Sequence, residues 1–335
     1  MSFIYENLFQ GLLNLNKLDL SSNGLSSLDS ALFNDLVNLI ELNIGNNQFK
    51  IIDPFLFQNL ANLKELSLLE NNLTQISATT FKGLFNLKEL YLSENNLNEI
   101  TAASFNDLTN LEQLYLQVNE LHSLDMNIFQ GLTKLNALYL NGNRLVSLNS
   151  NIFKDLINLN TLYLQQNQIS LIEENTFHGL NNLQTLLLND NKLNEIKTNA
   201  FKDLLSLRVL YLQFNKLNLI EANSFKNLNQ LEELNLSNNQ LTSVSKSILN
   251  GLSGLKELRM SFNRLSSVDS TTFKELLQVI DIQLSSNRIV AINRNALIGL
   301  NDLEAVYLDD NPIAIYLQDR LNDICSNNSK CKVYF

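Results

Sequence analysis

Six of the nine tyrosines stand on one ruler: Tyr91, Tyr115, Tyr139, Tyr163, Tyr211 and Tyr307 are separated by multiples of 24 residues. A phenol offers a rigid apolar ring and one hydroxyl, which suits non-covalent recognition better than bond-making. The other reactive types are sparse. His122 and His178 are too few and too far apart for an acid–base pair or a metal site, and both follow core slots, where a solvated turn is expected. Asp309, Asp310 and Asn311 lack the full spacing of a calcium loop, and two sulfurs, at Cys325 and Cys331, are too few to hold a metal. Fingerprints of serine hydrolases, zinc proteases, phosphate loops and dinucleotide folds do not occur. The chain is therefore expected to be non-catalytic and to carry no cofactor or metal.

The ruler is set by a repeat that fills nearly the whole chain. Asn recurs at positions 23, 47, 71, 95, 119, 143, 167, 191, 215, 239, 263, 287 and 311, every step being 24 residues. The first copy adds Leu15, Leu18, Leu20, Leu25, Leu28, Phe33 and Leu36, giving LxxLxLxxNxLxxL and then xxxxFxxL. In a Leu-x-Leu segment alternate residues point the same way, so Leu18 and Leu20 enter the core while Asp19 faces out. Equivalent strands follow one another in one direction and must pair in parallel, the rest of each copy forming the crossover. Each repeated Asn turns the chain out of its strand, and its buried amide is expected to pair with backbone of neighbouring coils, making a ladder of Asn23, Asn47, Asn71, Asn95, Asn119, Asn143, Asn167, Asn191, Asn215, Asn239, Asn263, Asn287 and Asn311. A column of phenylalanines from Phe9 to Phe225, resumed at Phe273, is expected to fill the space behind the sheet.

This pattern resembles the leucine-rich repeat family in its 24-residue class, common in animal extracellular and receptor proteins. The resemblance covers roughly residues 4 to 316 and implies an α/β solenoid of about 13 repeats: a right-handed horseshoe with a parallel concave sheet and short helical or extended convex segments. It also implies binding of a protein ligand on the concave face and no catalysis.

The expected layout is an uncapped partial repeat over 1–14, the solenoid over 15–314, and a helical cap with the cysteine pair over 315–335. Ile4, Phe9 and Leu12 occupy the tail slots of a repeat whose strand half is absent, so the chain reads as a fragment or a gene start placed too late. Leu317, Leu321 and Ile324 share one face of an amphipathic helix. Cys325 and Cys331 are expected to form a disulfide, with two free thiols as the alternative. The Cys-x-Cys that family members carry after their last Asn-Pro is missing: those places read Ile313 to Tyr316. Residues Met1 to Glu6 have neither the basic start nor the apolar core of a signal peptide.

With 24 Lys plus Arg against 34 Asp plus Glu the net charge is -10, so nucleic acid and anionic lipid are not expected partners. No stretch is long and apolar enough to span a bilayer. Sequons at Asn72, Asn235 and Asn327 are candidate glycosylation sites, although so Asn-rich a chain supplies that many by chance.

On a solenoid, function falls to the variable outward positions. The residue between the two strand leucines reads Tyr91, Tyr115, Tyr139, Tyr163, Leu187 and Tyr211 across the central copies, a stripe on the order of 24 Å at about 4.8 Å per strand. Val118 and Phe214 add apolar side chains two columns over, and acidic columns flank this neutral centre. These eight residues are the expected ligand-binding face. The alternative is that the rings stack on one another and only stabilise the sheet. The functional expectation is a protein-interaction module, part of a secreted or cell-surface receptor, adhesion or matrix protein. An intracellular scaffold or adaptor is the second choice, and oligomeric state is left open.

Overall fold

Every copy opens with three extended residues whose middle member is aliphatic. In the computed structural model, which describes residues 4, 5, 7–313 and 331–335, that member is buried in the copies from Glu41–Asn43 to Ala305–Tyr307, as in Glu65–Ser67 around Leu66, whereas Leu18 in the first copy is only half-buried. The chain forms a parallel-strand solenoid of about twelve turns and divides into two compact units, Met1–Gln168 with His178–Leu180 and Ile169–Phe177 with Asn181–Phe335.

In the first unit the strands Lys17–Asp19, Glu41–Asn43, Glu65–Ser67, Glu89–Tyr91, Gln113–Tyr115, Ala137–Tyr139 and Thr161–Tyr163 pair in parallel with a constant 24-residue register. In the second, Thr185–Leu187, Val209–Tyr211, Glu233–Asn235, Glu257–Arg259, Asp281–Gln283 and Ala305–Tyr307 do the same. A further strand, Lys332–Tyr334, joins the last of these, Val333 pairing with Val306. Its 27-residue step lies off the ruler, and it occupies a stretch expected to belong to a helical cap. Leu317, Leu321, Ile324 and Cys325 lie outside the described residues; Cys331 is disulfide-bonded.

The backs of the coils are not helical. Among the described residues the sole helix is a 3-10 turn at Arg294–Leu297. The return segments are instead successive i to i−3 turns: Leu32, Asn34, Leu36 and Leu39 donate their N–H groups to the carbonyls of Asp29, Ala31, Phe33 and Leu36. Opening an α-helix fixes several residues for one hydrogen bond, whereas this short stretch must bury Leu32, Phe33, Leu36 and Leu39 before the next strand. Two-residue strands brace the backs, Gln75–Ile76 with Glu99–Ile100 in the first unit, Glu195–Ile196 with Leu219–Ile220 and Ser267–Val268 with Ala291–Ile292 in the second. Rings of the phenylalanine column are buried and stack along the coils, Phe81 lying 6.2 Å from Phe105 and Phe201 6.1 Å from Phe225.

Asn119 shows why one asparagine per copy is indispensable. Its Oδ1 accepts the Leu97 N–H at 3.0 Å, and its Nδ2 donates to Leu92 O at 2.9 Å and to Leu116 O at 3.1 Å. One amide thus satisfies three buried backbone groups on two coils, which no aliphatic residue can do. The set repeats at Asn47, Asn71, Asn95, Asn143 and Asn167. In the second unit it repeats at Asn215, Asn239, Asn263, Asn287 and Asn311. Asn191 accepts from Ile169 N–H and donates to Leu188 O, and Asn23 donates to Leu20 O.

Candidate functional site

The outward face of the first unit's sheet is made by the strand residues on either side of each buried leucine and by the turns that follow. The tyrosines there are ordered by one another. Tyr91 and Tyr115 stack with centroids 4.4 Å apart and planes within 8°, Tyr115 and Tyr139 at 4.6 Å and 4°, and Tyr163 meets Tyr139 edge-on at 5.1 Å and 89°. All four are half-buried. Stacking takes ring faces out of solvent, so the stripe offers edges and hydroxyls, less apolar area than a row of exposed rings. Leu187, Tyr211 and Phe214 belong to the second unit, where Tyr211 and Leu187 are directly opposite in register.

The hydroxyls are held by neighbouring strand residues. Tyr91 donates to Glu89 Oε2 at 2.5 Å, Tyr115 to Gln113, and Tyr211 to Glu233 Oε2 at 2.7 Å. Burial is the first cause that pushes the phenols of Tyr91, Tyr115, Tyr139 and Tyr211 upward; for Tyr91 and Tyr211 the hydrogen-bonded carboxylate adds to it. These groups stay protonated near neutral pH and act as donors. Glu41, Glu65 and Glu89 face one another across consecutive strands. Glu65 is raised above the usual carboxylate range, first by burial and then by its two like-charged neighbours.

A second feature had no residue-type signature. The residue before every ladder asparagine is left-handed, with φ between 48° and 65°, and only Gly142 among the thirteen is glycine. Most are Asn, Asp, Ser, Glu or Gln. Val118, Phe214 and Phe262 are the bulky exceptions, at φ 55°, 56° and 57°, a conformation uncommon for non-glycine residues and an outlier for β-branched ones. They are also 51%, 54% and 57% exposed. Strain and lost hydration are both accepted at these three points.

Periodic signals that were legible but unread include a second asparagine ladder on the first unit's outer turns. Asn38, Asn62, Asn86, Asn110 and Asn158 each donate from Nδ2 to a carbonyl 25 residues back, at 2.6–2.9 Å. Gly11, Gly83 and Gly131, all at positive φ, give their N–H groups to Asp35, Asp107 and Asp155 one coil on. The terminal strand could have been found from Lys332-Val333-Tyr334 matching Ala305-Val306-Tyr307; Tyr334 stacks on Tyr307 at 4.7 Å.

The remaining candidates are dispersed. His122 and His178 are exposed, and no group of three His, Cys, Asp or Glu side chains suited to a metal occurs among the described residues. Asp309 and Asp310 accept hydrogen bonds from Ser285 and Ser286. Asn72 is exposed, Asn235 is half-buried in the sheet with its Oδ1 accepting the Ser237 N–H, and Asn327 lies outside the described residues. No helix among the described residues is long and apolar enough to cross a membrane.

Comparison with known proteins agrees with the repeat geometry. The profile described as Leucine rich repeat matches residues 13–73, 38–97, 61–121, 85–145, 133–193, 181–241 and 253–313, and a two-copy profile, Leucine Rich repeats, matches 229–275. The chain belongs to the leucine-rich repeat family. Leucine-rich repeat folds of this kind are protein-interaction scaffolds, and nothing in the site points to catalysis. Among solved structures, a leucine-rich repeat protein of Leptospira interrogans is 30% identical with a TM-score of 0.83 over 100% of this chain and 81% of that one. TLR13 in complex with ssRNA13 is 27% identical with a TM-score of 0.79, covering 100% of this chain and 52% of that one. Toll of Drosophila, in complex with Spatzle, is 25% identical with a TM-score of 0.76, covering 99% and 42%. The chain thus spans about half the length of the TLR13 chain and less of Toll. No curated protein matches it.

Proposed function

We propose that this leucine-rich repeat chain binds a protein ligand on the outward, concave face of its sheet, and that in the first unit the contact centres on Val118 and the tyrosines Tyr115, Tyr139 and Tyr163. The observation that carries this reading is Val118: an exposed β-branched side chain at φ 55°, beside a half-buried aromatic stack. Within the monomer that arrangement costs conformational energy and leaves about half of the side chain in water, which is what a contact residue selected for a partner would show. Leu187, Tyr211 and Phe214 form the corresponding surface of the second unit. The protein is further read as part of a secreted or cell-surface receptor, adhesion or matrix protein. A disulfide-bonded Cys331 suits an oxidising compartment, and Toll in its complex with Spatzle shows the same fold engaged with a protein. Although TLR13 is solved with RNA, the acidic charge of this chain disfavours a phosphate backbone.

The test uses the wild-type chain to capture a binder from proteins of its source, then measures that binder against Val118→Asn. Affinity is expected to fall at least tenfold while the melting midpoint holds or rises. Unchanged affinity in a folded variant overturns the reading.

A further inference from the structure

The two units carry very different charge. Residues 1–168 with 178–180 hold 8 Lys plus Arg against 16 Asp plus Glu, while the rest of the chain holds 16 against 18. Much of the first unit's excess lies on its outward sheet face. Lys17 pairs with Glu41 at 2.7 Å and Arg144 with Glu120 at 3.1 Å. Glu65, Glu70 and Glu94 have no ion pair among the described residues, and Glu65 sits in register between two further glutamates, an arrangement that is destabilising in a sheet. The tyrosine stack ends in the same place. One face of Tyr91 is covered by Tyr115, but across the strand on its other side stands Ser67, a side chain far too small to continue the pile.

We propose that this sheet face docks an extended, arginine-bearing segment of a protein partner, with one guanidinium lying on the open face of Tyr91 over Ser67, between Glu65 and Glu89. The assignment rests on the protein-binding reading above and names the partner's chemistry. A planar cation meets both halves of the slot: it stacks on the aromatic face and offers paired N–H donors to the carboxylates, relieving the repulsion along the Glu41–Glu65–Glu89 column. An ammonium would satisfy the charge but not the flat contact. A segment with several basic residues would also reach Glu70 and Glu94, which stand in the turn column beside the strands.

The probe is a fluorescent nonapeptide of alternating arginine and serine, titrated with the full chain at low and moderate salt, beside its lysine and glutamate counterparts. The arginine peptide is expected to bind, the lysine peptide at least fivefold more weakly, the glutamate peptide not at all, and affinity to fall with salt. Ser67→Tyr extends the stack into the slot, and Glu65→Gln with Glu89→Gln removes its charge; each is expected to cost at least tenfold. Asp53→Asn with Glu99→Gln, on the back of the same unit, removes as much charge and is expected to change affinity less than twofold. No binding of the arginine peptide, equal binding of arginine and lysine peptides, or equal loss in front and back variants overturns the proposal. So does sedimentation showing a dimer that Ser67→Tyr dissolves, because a second copy would then be the occupant. A captured protein that depends on Val118 while the arginine peptide fails would defeat this assignment and leave the broader reading standing.

Discussion

Val118 concentrates the tension between fold and function in one residue. The position demands a left-handed backbone because the chain must leave the strand and present the following asparagine to the ladder. Asn46 and Asn238 meet the same demand with a residue that tolerates it, at φ 48° and 56°. Val118→Asn is therefore expected to stabilise the chain by about 1 kcal/mol, by removing β-branched strain in the left-handed region. A denaturant midpoint lower than wild type would show that the valine's contact with the Gly142 coil outweighs the strain. Glu65 makes the matching electrostatic case. Its folded pKa is raised, so the folded state favours the protonated acid; that advantage is present below the ordinary carboxylate pKa and is lost as pH rises through the raised value. Glu65→Gln is expected to raise the melting midpoint at pH 7 and to lose most of that gain at pH 4, where wild-type Glu65 is itself neutral. Thermal melts of both proteins at the two pH values check the sign.

At the level of the element, the two asparagine ladders look alike in sequence and differ in what they hold. Asn119 binds buried backbone on two coils, whereas Asn110 donates one exposed bond to Phe85 O. Asn119→Leu strands the buried Leu97 N–H and takes one of two amide donors from each of Leu92 O and Leu116 O, which keep Asn95 and Asn143, so a loss of about 2 kcal/mol is expected. Water can replace the amide of Asn110, and Asn110→Ala is expected to cost about 0.5 kcal/mol. Urea titration of both variants checks the contrast, and similar costs would mean that the inner amide is not the clasp described. The difference also shows what a sequence discloses. Strand position, register and inner ladder follow from Leu-x-Leu-x-x-Asn, because each of those slots admits one kind of side chain. The left-handed turn does not, since Ser22, Glu94, Val118 and Phe262 all adopt it and the backbone around them, not their type, decides. Stacking of Tyr91, Tyr115 and Tyr139 was open in the same way: a 24-residue spacing puts the rings side by side, but ring orientation depends on neighbours such as Glu89 and Gln113 that hold the hydroxyls. The backs of the coils stood open between helical and extended for another reason. Leu32, Phe33, Leu36 and Leu39 have helical spacing, yet the same spacing serves a chain of i to i−3 turns, and the next strand begins before a helix can develop.

For the whole molecule, what matters is that among the described residues the bonds between coils join each one to the coils before and after it, so the period itself is the unit of stability. Excising residues 97–120 joins Asn96 to Leu121 and removes one strand, one ladder asparagine and one Phe from the first unit while leaving every column aligned. Asn95, which now accepts from Leu73 N–H, would stack directly under Asn143, and Tyr91 would come to lie against Tyr139 in place of Tyr115. In a chain stabilised by nearest-neighbour contacts that loss is local: one intrinsic coil and one interface disappear, and the remaining interfaces are of the same kind. The shortened chain is expected to fold with an unchanged far-UV spectrum per residue and a single melting transition lowered by only a few degrees. Excising the twelve residues 97–108 instead removes the Phe105 anchor and the turn that returns the chain to its strand, leaving the Gln113–Tyr115 strand without the crossover that sets its register. That variant is expected to lose cooperative unfolding although it retains more of the sequence. If the 24-residue deletion proves the more damaging of the two, stability is not organised coil by coil, and the regular spacing of the asparagines must answer to something other than the stacking of identical units.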